Sequence, residues 1–459
     1  MSQTTTRRRA ATRPAAKPAA TEAAPGAPAV VTPAKKLRVL TMSHMDPRVS
    51  RGGAEIAAFQ LYTKLQADPN VEAFFLAAAP GRIGERLGVR LTQPFGPNEW
   101  VYVGHGFDHG IHANGDPEFP PEFLELLANI QPDVVHLHHY TNFGVEALLH
   151  IRRAVPQAKI VLTLHEYLAI CNHFGQMVKR PSFALCEKAS PRDCHRCFPE
   201  KPEPDFFLRE LFMKRFFRLV DRFISPSHFL AKRYVEWGIA PERITVIENG
   251  MPERPEHARQ LPYPPVEDGL IFGFFGQISA LKGINVLIEA AALLDKAGID
   301  RVRIDVNGDY SGQPEPFRLD FEKRLAKASE NFNYRGPYEN SRVDELMQQC
   351  HAVLVPSVWW ENSPLVIQEA LLNKRPVICS DIGGMAEKVR DGLDGYHFQA
   401  RSAWSLANLL KTLAAEPHRL LAIQKTIATP PTMTETAAAV RRVYDEVLAG
   451  TAPAAADKG

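Results

Sequence analysis

Two glutamates, Glu361 and Glu369, are separated by seven residues on the segment ENSPLVIQE, just upstream of the apolar RPVICS and of Asp381-Ile382-Gly383-Gly384. Pro364 suits the first turn of a helix, which puts Glu361 before that helix and Glu369 inside it. A loop carboxylate and a helix carboxylate can then address two ends of one ligand, with free amides between them. The spacing fits a pair of surface acids as well. Near the other end of the chain, Gly52-Gly53 lies between an apolar run and a helical pattern, where missing side chains let backbone N–H groups approach an anion. Paired glycines also serve plain turns, and Gly-x-Gly-x-x-Gly does not occur there, which disfavours a nicotinamide enzyme.

Four of the six cysteines, Cys171, Cys186, Cys194 and Cys197, fall in one stretch rich in Pro and charge. Only the last pair has the Cys-x-x-Cys bite that tetrahedral zinc favours. A structural zinc is the first reading, followed by free thiols, an iron–sulfur cluster and a disulfide pair. Four sulfur ligands leave no open position, so such a zinc would not be catalytic.

The elements that must position these groups alternate. Leu37 to Met42 has strand character, followed by the glycine loop and a helical pattern from Ala54 to Leu65. Further strands are expected at 133–138, 159–164, 222–225 and 244–247, with a helix near 143–153. The Pro-rich MPERPEHARQLPYPP (251–265) reads as a linker. Beyond it a second series opens: strands at 270–275, 303–306, 332–335, 352–355 and 376–379, a helix over 282–296, and a last helix over 433–448 stopped by Gly450. Continuous apolar strands alternating with helices mark parallel sheets covered on both faces, so the fold class is α/β, with two tandem doubly wound domains facing a cleft. Open sheets of this kind bind ligands beyond the carboxyl ends of their strands.

With 459 residues, 45% hydrophobic and 23% charged, the chain can bury more than one core. It has neither an apolar run long enough to span a membrane nor an apolar leader, so a reducing, cytoplasmic setting is expected. Of the net charge of +2, residues 1–36 carry +6 and the remainder −4. A mildly acidic body has no basic stripe for nucleic acid. The Ala/Pro-rich tail reads as a disordered linker whose Arg7, Arg8 and Arg9 offer a peripheral contact to an anionic membrane face.

The strings GGAE, PDVVHLHH, SPSHFLAKRY, IENGMP, FFGQISALKGINVLIEA, PSVWWENSPLVIQEALL and RPVICSDIGGMAE, in that order, resemble the retaining glycosyltransferases of family four, over residues 37 to 400. The resemblance implies the GT-B fold, two Rossmann-like domains: an acceptor-binding domain at 37–250 with the cysteine insert at 168–203, and a nucleotide-sugar-binding domain at 251–430. A helix at 431–449 would cross back to the first domain, before a tail at 450–459. Glu369 would accept hydrogen bonds from the nucleotide ribose, and Glu361 would sit near the transferred sugar. Lys282 would pair with the donor diphosphate, helped by the amides of Ser363, Pro364, Leu365 and Val366 around the helix start, Pro364 itself having no N–H. His165 would face the sugar across the cleft, and Gly53 would approach acceptor or phosphates.

Two departures stand out. Gln277 occupies a position where the family usually has Arg, so half of the expected charge clamp is missing; Arg51 and Lys232 are the candidates to supply it, and otherwise donor affinity falls or the enzyme is inactive. Where the family commonly closes the helix after Glu369 with glycine, this chain has Asn373-Lys374, and Asn tolerates the left-handed cap. The resemblance implies transfer of a sugar from a nucleotide diphospho-sugar to an acceptor hydroxyl of a sugar or glycan, in polysaccharide biosynthesis. No cofactor and no divalent metal are expected, because no Asp-x-Asp pair stands at a strand end. A sugar-nucleotide 2-epimerase and a non-catalytic nucleotide-sugar binder are the alternatives.

Overall fold

The computed structural model describes residues 35–50, 52–79, 81, 83, 86–104, 106–254 and 261–450. Nearly all of the two tails, together with Arg51, therefore lies outside the described residues. The apolar run Leu37–Ser43 is a central strand of an eight-stranded sheet. From one edge the strands are Ile244–Val246, Arg222–Ser225, Lys159–Thr163, Val134–Leu137, Leu37–Ser43, Val71–Ala78, Glu99–Tyr102 and Leu91–Gly96. All neighbours run parallel except the final pair. Val134–Leu137 and Arg222–Ser225 are buried along their whole length, as strands covered on both faces must be.

The second sheet is all parallel, in the order Phe332–Gly336, Val302–Asn307, Leu270–Phe275, Ala352–Val355, Val377–Ser380 and Gly395–Phe398. In both sheets the chain first builds outward on one side of a central strand and then returns to the other. That reversal falls between Leu37–Ser43 and Val134–Leu137 in the first sheet and between Leu270–Phe275 and Ala352–Val355 in the second. The loops leaving these strand pairs diverge, opening a crevice at the carboxyl ends.

Each sheet buries both faces. One face of the first packs Phe123, Phe143, Tyr167 and Phe223 with their neighbours. The other face packs Val39, Leu61 and Phe75 against Val440, Val443, Tyr444 and Val447 of the helix Met433–Ala449. That helix starts in a capping box of Thr432 and Glu435 and stops at Gly450, whose φ is +70°. To reach the first sheet it runs beside the outgoing connection: Met251 N donates to Pro431 O and Met433 N to Met251 O, at 2.8 and 2.7 Å. A Cβ on Gly250 would lie 2.6 Å from the Met433 Cα, so only glycine lets the two crossings touch.

Several expectations shift. Val71–Ala78, Leu91–Gly96, Glu99–Tyr102 and Gly395–Phe398 are strands that the sequence reading does not include. The helix expected from Lys282 starts at Ile284, because Gly283, at φ +80°, belongs to the loop. Residues 255–260 of the expected linker lie outside the described set. Its end is tied down: Leu261 N donates to the Gln348 side chain and Tyr263 Oη to His351 O, both at 2.6 Å.

Candidate active site

At the reversal point of the second sheet, one loop follows Phe275 and carries Gln277 and Lys282, and the other follows Val355 and carries Ser357 to Ser363. They meet in an ion pair. Lys282 Nζ lies 2.6 Å from Glu361 Oε1, and the same oxygen accepts from Ser357 Oγ at 2.8 Å and Trp359 Nε1 at 2.9 Å. The Glu361 carboxylate is 8% exposed and the Lys282 side chain 34%, so the anion is fixed and the ammonium keeps donors for a ligand. The loops approach so closely that a Cβ on Gly283 would fall 1.9 Å from Pro356 O, and one on Gly384 would fall 1.8 Å from Asn362 O. Gly384 N also donates to Glu361 O at 2.7 Å.

The helix Leu365–Leu372 begins just beyond, with Pro364 as its N-cap residue. Ser363 Oγ and Asn362 Oδ1 are buried without a hydrogen-bond partner among the described residues. Buried polar atoms are seldom left so, which marks this helix start as a place that receives polar groups. Glu369, one turn inside, differs from the fully ionised acceptor that the sequence reading expects. Burial, and next the nearby Asp344 carboxylate, push it up to about 7.

Asn373 is not the left-handed residue after this helix. Its φ is −83°, and Lys374 takes the positive φ of 52°. Asn373 is instead spent on a buried network, donating to Asp344 Oδ1 at 2.6 Å and accepting from Gln348 Nε2 at 2.8 Å. Gln277 is exposed. Lys232 is on the outer side of its helix, 3.9 Å from Glu236, so it does not fill the place of the missing cation.

Across the crevice, the loops at the carboxyl ends of the first sheet bring together a group that the sequence reading largely misses. His44 follows Ser43, His138 and His139 follow Leu137, and His165 follows Leu164. His138 Nδ1 lies 3.1 Å from His165 Nε2, and the His44 and His139 rings are 4.7 Å apart. His139 Nε2 meets Glu166 at 3.1 Å, and His44 Nε2 stands 3.5 Å from Glu55 of the GGAE string. Burial, and next His139, lower His165 to about 3; burial also holds His44 and His138 well below the usual histidine value. Burial therefore favours the neutral form of these three imidazoles, in which one ring nitrogen can accept a hydroxyl hydrogen bond. The two sides touch: Asn362 Nδ2 donates to His165 O at 2.6 Å, and a Cβ on Gly53 would be 3.4 Å from Leu365 Cδ1. His165, Gly53, Lys282, Glu361, Ser363 and Leu365 thus share one crevice.

The cysteine insert does not show the expected zinc site. Cys171, Cys186, Cys194 and Cys197 are free thiols, and among the described residues no three His, Cys, Asp or Glu side chains form a metal-holding set. Burial pushes Cys171 up to about 12 and Cys194 up to about 11, as free thiols in an apolar setting. The insert is held by other means. Val178 bridges Leu185, Met177 and Phe198 are buried, and a short helix Pro191–Cys197 is capped by Ser190.

The family model described as Glycosyltransferase Family 4 matches residues 51–253, and that of Glycosyl transferases group 1 matches residues 260–428. The chain is 28% identical over 316 residues to a D-inositol 3-phosphate glycosyltransferase of Nocardia farcinica, a match covering 66% of this chain and 64% of that protein. It is 24% identical to one of Catenulispora acidiphila, over 84% of this chain and 90% of the other. Among solved structures, Anabaena HepE in complex with UDP-glucose superposes with a TM-score of 0.59 at 17% identity, over 90% of this chain and all of that one. A sucrose-phosphate synthase from Thermosynechococcus elongatus gives 0.64 at 16%, over 91% of this chain and 100% of the other. Two doubly wound sheets facing a shared crevice and two adjoining family matches lead to one assignment: the chain belongs to the family 4, group 1 glycosyltransferases of GT-B fold.

Proposed function

We propose that the protein moves a sugar from a nucleoside diphosphate sugar to an acceptor hydroxyl with retention at the anomeric carbon, using no divalent metal. The observation that carries this reading is the Lys282–Glu361 pair at the switch point of the second sheet. Glu361 anchors the ammonium through one oxygen, and the remaining Lys282 donors serve a diphosphate whose charge grows as the sugar departs. Ser363 and the amides at the helix start add hydrogen bonds to the same oxygens. Glu369 binds the ribose end once ionised. The neutral histidines opposite hold the acceptor through hydrogen bonds, and its hydroxyl proton passes to the departing diphosphate oxygen.

UDP-glucose bound to HepE and the inositol phosphate acceptor in the curated relatives' names support the substrate classes, a diphosphate donor and a polyol acceptor. A step in glycan or cell-envelope polysaccharide synthesis suits them. A thermal-shift screen of the full chain with UDP-glucose, GDP-mannose and ADP-glucose comes first, since a ligand that binds only the folded state raises the Tm. NMR of the product made from the donor that binds then reads the anomeric configuration. An inverted product, or activity lost in chelator and restored by magnesium, overturns the reading.

A further inference from the structure

Trp360 belongs to the second domain by sequence and to the first by packing. It directly precedes Glu361 on the donor loop, yet its ring, 8% exposed, is part of the first sheet's core. Nε1 donates to Cys186 O of the insert at 3.0 Å. The ring lies 5.1 Å from the Phe229 ring, with the Arg233 guanidinium 5.1 Å from its centroid. Arg233 in turn donates to Glu187 O at 2.8 Å, tying the insert to the same cluster. Two residues on, Asn362 reaches His165 O. The short run 360–362 is therefore gripped by the first domain at both ends and by Lys282 in the middle. Neither apolar core of the second sheet includes Trp360, so the ring fixes how the donor loop meets the acceptor side rather than the fold that bears it.

We propose that Trp360 is a positioning residue: seated between Phe229, Arg233 and the Cys186 carbonyl, it holds the Glu361–Asn362 loop in register with the acceptor domain, so that transfer depends on this seat while donor binding does not. The kinetic half rests on the glycosyltransferase reading; the structural half stands without it. Donor contacts lie within the second domain and survive loss of the ring. Alignment of the transferred carbon with the acceptor hydroxyl does not, and small misplacement of that kind costs roughly a hundredfold.

The test compares the full chain with Trp360→Ala, Trp360→Phe and, as a control on an exposed ring, Trp404→Ala. Hydrogen exchange should quicken about tenfold at 183–189 and 226–233 in Trp360→Ala, less in Trp360→Phe, and remain unchanged at the sheet strands 134–137 and 352–355. With the donor that binds, Trp360→Ala should lower kcat by about two orders of magnitude and leave the donor KM within about twofold, and Trp360→Phe should recover most of the rate. Unchanged exchange at both segments overturns the seat; unchanged kcat with the segments loosened overturns the positioning role. If none of the three nucleotide sugars shifts the wild-type Tm or is consumed, the proposed function fails, and the exchange data still decide the seat.

Discussion

At the switch point of the second sheet a cation is pinned to a buried carboxylate, Lys282 to Glu361; at that of the first sheet the strand ends carry His44, His138, His139 and His165, and burial keeps three of them neutral. The two sheets share a topology and hold different chemistry at equivalent places. In the second sheet a cation is held in place by a buried carboxylate, the arrangement the proposed function assigns to a leaving diphosphate. On the other side burial disfavours the charged form, which leaves imidazoles that exchange hydrogen bonds and resist protonation. Topology sets where a site lies, and the residues just past the strand ends set what it does.

Acid should break this contrast first and most strongly. Histidines whose folded pKa lies below the unfolded value contribute stability that is present above about pH 6.5 and lost as pH falls toward the folded value. His136, buried against Tyr444 and Thr163 and lowered to about 3, joins His44, His138 and His165 in this class. Each should cost about 1.4 kcal/mol per pH unit below that point. Urea midpoints taken from pH 7 to pH 5 should fall steeply, with exchange protection lost at 134–137 before 352–355; equal loss at both would erase the contrast.

Next in size, Lys282→Ala should lower kcat by about two to three orders of magnitude, or about 2.7–4 kcal/mol, with a smaller change in donor KM. Steady-state kinetics with the bound donor checks it, and full activity would move the diphosphate contact elsewhere. A smaller effect should follow pH on the donor side. In the ribose role proposed for Glu369, a carboxyl pushed up to about 7 accepts more strongly once ionised, so donor affinity should rise from pH 6, by less than about tenfold per pH unit, and level off above pH 8. Glu369→Gln should flatten that titration. The smallest expected effect is none at all: metal analysis of purified protein should find no stoichiometric zinc, and about one zinc per chain would restore the sequence reading of the cysteines.

The donor side was more legible in the sequence than the acceptor side. Leu270–Phe275 and Ala352–Val355 match their expected bounds, because parallel strands buried over nearly all their length are short apolar runs cut off by glycine or proline. Glu361, Pro364 and Glu369 stand on one continuous segment, where local spacing carries information. The histidines come from three loops that only the sheet brings together, and each is an ordinary strand-end residue in isolation. The signal that could have found them is repetition: an apolar strand followed within two residues by His occurs at 44, 138 and 165. Val71–Ala78 escaped because alanines in VEAFFLAA weaken its strand character, and tertiary burial overrides that weak preference. Trp360 escaped because an aromatic beside a catalytic-type loop reads as local core, and its partners lie more than a hundred residues upstream.

The helix Met433–Ala449 also places a demand on synthesis. The last strand of the first sheet ends at Val246, yet the side chains that cover one of its faces are Val440, Val443, Tyr444 and Val447. At translation speeds of about 5–20 residues per second, the roughly 190 intervening residues take about ten to forty seconds to emerge. For that interval Val39, Leu61 and Phe75 lack their cover while the second domain is being made and folded. A nascent chain in this state is a substrate for holding chaperones, and a messenger that slows the ribosome between codons 250 and 430 should lower the yield of native protein more than one that slows it earlier.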